Sequence, residues 1–189
     1  SLFSVNELFK SEKIQIESTS FTVSEPVSTY TIEPLIYKYA LDNEKKILKE
    51  EYDISDFNIE IVKLERIFVD KIFAVEFYFE RSMYYDVSKH LYDISIMIKN
   101  DNIKRMLKNK QELNKLISYK RKEEKSRLGG IASNKEIKDF NYMNLKFNDE
   151  LINAFNNMQR IYVLDDESVL DINEVKDTIK TLQEIFKDL

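Results

Sequence analysis

Leu64-Glu65-Arg66-Ile67-Phe68-Val69-Asp70-Lys71-Ile72-Phe73-Ala74-Val75-Glu76, followed after a short break by Lys89-His90-Leu91-Tyr92-Asp93-Ile94, spells two helices. In the first, Phe68, Ile72, Val75 and Phe79 recur at helical spacing, with Ile67, Ala74 and Tyr78 beside them, and make a broad apolar face. In the second, Leu91, Ile94, Met97 and Ile98 make the face, while His90 and Asp93 stand three residues apart and project the same way. Arg66, Asp70 and Lys71 lie among the apolar residues of the first helix. A charge placed there is costly to desolvate unless it meets a partner. The helix pair is therefore where a site is to be sought.

Outward from this pair, the chain changes character. Lys13 to Phe21 alternates apolar and polar residues, with Ile14 and Ile16 on one side and Lys13, Gln15 and Glu17 on the other, as a strand does. Ser24 to Ser28 reads as a loop from its proline and serines. Pro34 suits the first turn of a helix over 33–51, and Phe57 to Val62 alternates as a second strand. Downstream, Ile103, Met106, Leu107, Leu113, Leu116 and Ile117 give one helical stripe. It ends in the charged run Lys120 to Arg127 and stops at Gly129-Gly130. Asn148 caps a further helix, and Val175, Ile179, Leu182 and Phe186 line a last one. The expected fold is α+β and mainly helical: residues 1–62 as the end of an α/β part, with strands near 12–21 and 57–62, and residues 63–189 as a helical bundle.

Composition narrows the classes. With 189 residues, the chain buries a sufficient core without staples, and with no cysteine it has neither disulfides nor thiolate metal sites. Two glycines and two prolines favour long helices over a many-turned sheet. A net charge of −5 argues against a polyanion binder on charge grounds, and Lys120 to Arg127, interrupted by Glu123 and Glu124, reads as a solvated helix end. No apolar stretch spans a membrane and no signal peptide opens the chain, which suits the cytoplasm.

The order and separation of Glu-Arg-x-Phe-x-x-Lys-Ile-x-Ala and basic-His-Leu-Tyr-Asp-Ile resemble the AbiEii/AbiGii-type toxin nucleotidyltransferases, the active halves of bacterial abortive-infection toxin–antitoxin pairs. The resemblance implies the remnant of a nucleotidyltransferase-like sheet followed by a helical bundle. It also implies transfer of a nucleoside monophosphate from an NTP to an acceptor such as tRNA, with Mg²⁺, under restraint by a cognate antitoxin. On the matching positions it makes Glu17, on the Ile-Gln-Ile-Glu strand, the third acid: a metal ligand or base, because hard carboxylate oxygens suit Mg²⁺. Lys71 becomes a phosphate-binding point charge, with Arg66 and His90 contributing to the nucleotide site. Asp93 becomes the wall of the active site that holds the lysine. A Lys71–Asp93 contact would satisfy both charges.

One part of the pattern is missing. The family's Gly-Ser turn and Asp-x-Asp pair do not precede Lys13; Asp53-Ile54-Ser55-Asp56 has the wrong spacing, and Asp165-Asp166-Glu167 lies too far downstream. Without that pair the chain alone is expected to be inactive and to hold no metal, as the C-terminal part of the enzyme, its N-terminal half removed. An open strand edge left by that removal would favour a homodimer. The rival reading is a non-catalytic helical module that binds a partner protein through its Tyr- and Phe-rich surface (11 Tyr, 12 Phe).

Overall fold

The computed structural model describes residues 25–126, 135–144, 146–187 and 189. The strand expected near 12–21, Glu17 on it, and Gly129-Gly130 lie outside the described residues. Two compact units partition the described residues: 25–63, and those from 64 to 189. The architecture is mainly helical α+β: eight α-helices among the described residues and one two-stranded antiparallel sheet.

In the 25–63 unit, β1 (Val27–Ile32) pairs antiparallel with β2 (Phe57–Val62), Val27 opposite Val62 and Ile32 opposite Phe57. The loop expected over Ser24 to Ser28 thus already enters a strand at Val27. The β-branched and aromatic residues of Val27-Ser28-Thr29-Tyr30-Thr31-Ile32 outweigh the turn signal of Pro26 and Ser28. The helix expected over 33–51 divides into α1 (Leu35–Tyr39) and α2 (Asp42–Tyr52). Ala40 and Leu41 are extended, and the Glu44 carboxylate accepts from the Leu41 backbone N–H at 2.8 Å, so the acidic Asp42-Asn43-Glu44 run starts a new helix instead of continuing the old one. Asp53 ends α2 in the left-handed region (φ 53°), a conformation Asp tolerates better than most residues.

The helical unit is built on α3 (Leu64–Phe79) and α4 (Tyr84–Met97), joined by a tight turn in which Ser82 takes a positive φ of 54°. The single stripe expected from Asp101 becomes α5 (Asp101–Lys108) and α6 (Lys110–Ser126), broken at Asn109, whose side-chain oxygen accepts from the Glu112 N–H at 3.2 Å. Asn148 caps α7 (Asp149–Tyr162), accepting from the Leu151 N–H at 3.0 Å, and α8 (Ile172–Lys187) closes the unit. Phe68, Ile72 and Phe73 of α3 are buried in one core with Leu91 and Ile94 of α4, Leu113 and Leu116 of α6, Phe155 of α7 and Leu182 of α8. Each such side chain contributes about 1.5–3 kcal/mol by leaving water. The hydroxyls of Ser88 and Ser95, buried within α4, donate to the carbonyls one turn back at 2.7 and 2.8 Å and so cost the core little. Gln159 accepts from the Leu170 N–H at 2.8 Å and donates to its carbonyl at 3.1 Å, pinning the connection between α7 and α8. Among the described residues no helix is long and apolar enough to cross a membrane.

Candidate nucleotide site

Lys71 projects from the middle of α3 toward α4, and its ammonium meets the Asp93 carboxylate at 2.7 Å. Both keep part of their surface, 28% for the Lys71 side chain and 38% for Asp93, so an anionic ligand can reach the lysine from solvent. The same Asp93 oxygen lies 3.9 Å from His90 Nδ1, too far for a hydrogen bond. Burial pushes the Asp93 carboxyl up. The His90 ring and the Lys71 ammonium together outweigh that and hold it below the ordinary carboxylate value. His90 stacks on Tyr78 of α3, ring centroids 5.3 Å apart and planes 26° off parallel. Its Nδ1 is shut off from water and has no hydrogen-bond partner among the described residues.

Lys71, Tyr78 and His90 line a cleft of about 280 Å³ whose other wall is charged: Asp70 of α3 and Lys120, Glu123 and Glu124 of α6. Lys120 donates to Glu123 at 2.9 Å and lies 2.8 Å from Glu124 and 3.4 Å from Asp70. Arg66 bonds Asp70 with one arm of its guanidinium and Glu123 with the other. Two cations and three carboxylates thus form one largely buried network along this wall of the cleft. Burial pushes the Asp70 carboxyl up further than Lys120 and Arg66 draw it down. Burial pulls the Lys120 ammonium down, yet Asp70, Glu124 and Glu123 leave it raised overall.

The sequence-derived residues therefore fall into three groups. Lys71 and His90 line the cleft, and Asp93 lies against both, 2.7 Å from the Lys71 ammonium and 3.9 Å from His90 Nδ1. Arg66, expected at the nucleotide, is fully buried with both arms held by carboxylates, because a fully desolvated guanidinium needs those partners more than an exposed site needs it. Glu17 lies outside the described residues. The reading of Lys120 to Arg127 as a solvated helix end does not hold for Lys120, Glu123 and Glu124, which are buried. The spacing of Leu113, Leu116 and Ile117 continues through Lys120 and Glu124 along the same helix face, and that was the available signal.

A further buried carboxylate, Glu76, lies on α3 between one and two turns beyond Asp70. It accepts from the Asn141 and Tyr142 backbone N–H groups at 3.0 and 3.3 Å and from Lys135 at 3.0 Å, which ties the 135–144 connection to α3. That is a structural role. The Mg²⁺ that the resemblance implies does not fit the described residues. Among them no three acidic or histidine side chains converge as metal ligands, and the carboxylates that do gather already face Arg66 and Lys120.

A family model described as nucleotidyl transferase AbiEii toxin, type IV toxin–antitoxin system, matches residues 7–174. No curated protein and no solved structure matches the chain.

Proposed function

The chain belongs to the nucleotidyl transferase AbiEii toxin family of type IV toxin–antitoxin systems, and from that premise we propose that its α3–α4 cleft binds the triphosphate of an NTP whose nucleoside monophosphate goes to an acceptor hydroxyl. Lys71 is the phosphate-binding cation. Asp93 holds its ammonium in place until the ligand arrives, which keeps a flexible side chain oriented and lowers the ordering cost of binding. The ion pair between Lys71, which lines the cleft, and Asp93, with both side chains partly exposed to solvent, is the observation that carries this reading. Phosphoryl transfer asks the protein chiefly for positioning and for positive charge near the departing phosphates, and a lysine so placed supplies both. The setting we assign is the bacterial cytoplasm, in an abortive-infection pair with a cognate antitoxin, and tRNA is the acceptor to test first. Glu17 keeps the role of metal ligand or base that the resemblance gives it.

Calorimetric titration with ATP, GTP, CTP and UTP tests the site. At least one should bind, and Lys71→Ala should weaken it about tenfold or more, since a charge-assisted hydrogen bond contributes about 1.5–3 kcal/mol. Lys180→Ala, on an exposed face of α8, should leave affinity unchanged. Equal affinities of wild type and Lys71→Ala would remove Lys71 from the role. Failure of all four nucleotides to bind would favour the protein-interaction reading, which draws on the exposed Leu35, Ile36 and Tyr39.

A further inference from the structure

A lysine that binds phosphate must leave the carboxylate that stored it. Asp93 then loses the one lysine or arginine paired with it among the described residues, inside a partly desolvated site, just as several negative charges arrive beside it. One polar atom is poised to compensate. His90 Nδ1 is buried, has no hydrogen-bond partner among the described residues, and lies 3.9 Å from the very Asp93 oxygen that Lys71 occupies. We propose that His90 is a positioning residue that takes over Asp93 when Lys71 turns to the ligand, gaining a proton from solvent and closing the Nδ1–Asp93 gap to a charge-assisted hydrogen bond. This rests on the reading of Lys71 as the phosphate-binding cation.

The surroundings favour this exchange. On α3, Tyr78 stacks on the ring and Lys71 and Asp70 line the same cleft; from α6, Lys120, Glu123 and Glu124 border it. Asp93 is the acidic neighbour on α4 itself, while Asp86 is taken by Lys89 at 2.7 Å. The helices α7 and α8 also pack on α4, but Tyr162 of α7 meets Tyr85 and Glu174 of α8 meets Lys99. The buried network holds three carboxylates against two cations. Once Lys71 is engaged by phosphate, the charge around the ring is more negative than before, and histidine is the side chain that answers such a change near neutral pH. The stack on Tyr78 keeps the ring in plane for a short inward shift toward Asp93.

The chain has one histidine, so its ring gives a single set of NMR signals. Wild-type protein with ¹⁵N-labelled histidine is titrated with inorganic tripolyphosphate near neutral pH. The two ring nitrogens should move from the widely split shifts of a neutral imidazole toward the near-equal shifts of an imidazolium as the ligand saturates. Calorimetry in buffers of different ionisation enthalpy should show greater proton uptake for wild type than for His90→Gln at the same pH. A ring that stays neutral in the saturated complex, or equal proton uptake in the two proteins, overturns the exchange. If Lys71→Ala also binds tripolyphosphate as tightly as wild type, the phosphate-site reading itself has failed. If Lys71→Ala weakens binding while the ring stays neutral, only the exchange has.

Discussion

Glu123 accepts from Arg66 and Lys120 at once, with almost no exposure to water. Removing it leaves two cations facing each other across an apolar interior with too few acceptors. Glu123→Ala should therefore cost about 3–5 kcal/mol in chemical denaturation, the range for breaking a buried ion pair from one side. A loss below about 1 kcal/mol would mean that water reaches the network. Lys120 makes the matching prediction for pH. Its native ammonium titrates above the ordinary lysine value of 10.5, so its contribution is complete below that value and is lost as pH rises through the higher native one. The stability difference between wild type and Lys120→Met should stay level through neutral and mildly alkaline pH and shrink above pH 10.5. A difference that stays level there would show that the carboxylates do not hold the proton on Lys120. The pairs within one helix, Lys120 with Glu123 and Glu124, follow from their spacing, but the pairs that join α3 to α6 could not be read from the chain. Arg66 and Asp70 are one helical turn apart, but that Glu123 would lie opposite them depends on how α6 crosses α3.

At the level of elements, caps and breaks decide more than propensity. Asn148 supplies the acceptor for the first turn of α7, and Asn148→Ala should cost about 1 kcal/mol of unfolding free energy, with Asn148→Asp retaining most of it. Equal stability of the alanine variant in a urea titration would show that solvent serves that N–H as well. The helices α3, α4, α7 and α8 were legible because their apolar faces are long and regular. The breaks at Ala40–Leu41 and Asn109 were not, because each falls inside a stretch whose apolar period continues across it. What interrupts the helix there is a side chain, Glu44 or Asn109, competing for backbone N–H groups. The charged end of α6 misled for a related reason. Its composition is that of a solvated surface, while its spacing is that of a core face, and packing against α3 sided with the spacing.

Across the whole molecule, burial is uneven. The 64–189 region holds every buried side chain among the described residues, and none of residues 25–63 is buried. A unit of about 40 residues without a core of its own falls at the size where isolated domains usually need a staple. A peptide of residues 24–63 should accordingly give a gradual circular-dichroism melt, and a sharp sigmoidal transition would contradict this. The sequence by itself determined the helical class, the order of the main elements, the family, and the placement of Lys71 and Asp93 on two neighbouring helices. Those follow from periodicity and motif, which are properties of the chain read locally. Only the tertiary structure decided that Lys71 reaches Asp93, that His90 Nδ1 beside them has no hydrogen-bond partner among the described residues, and that Arg66 and the end of α6 are spent inside the protein. Those outcomes depend on which faces meet and how far each charge lies from water, and neither is set until the helices pack.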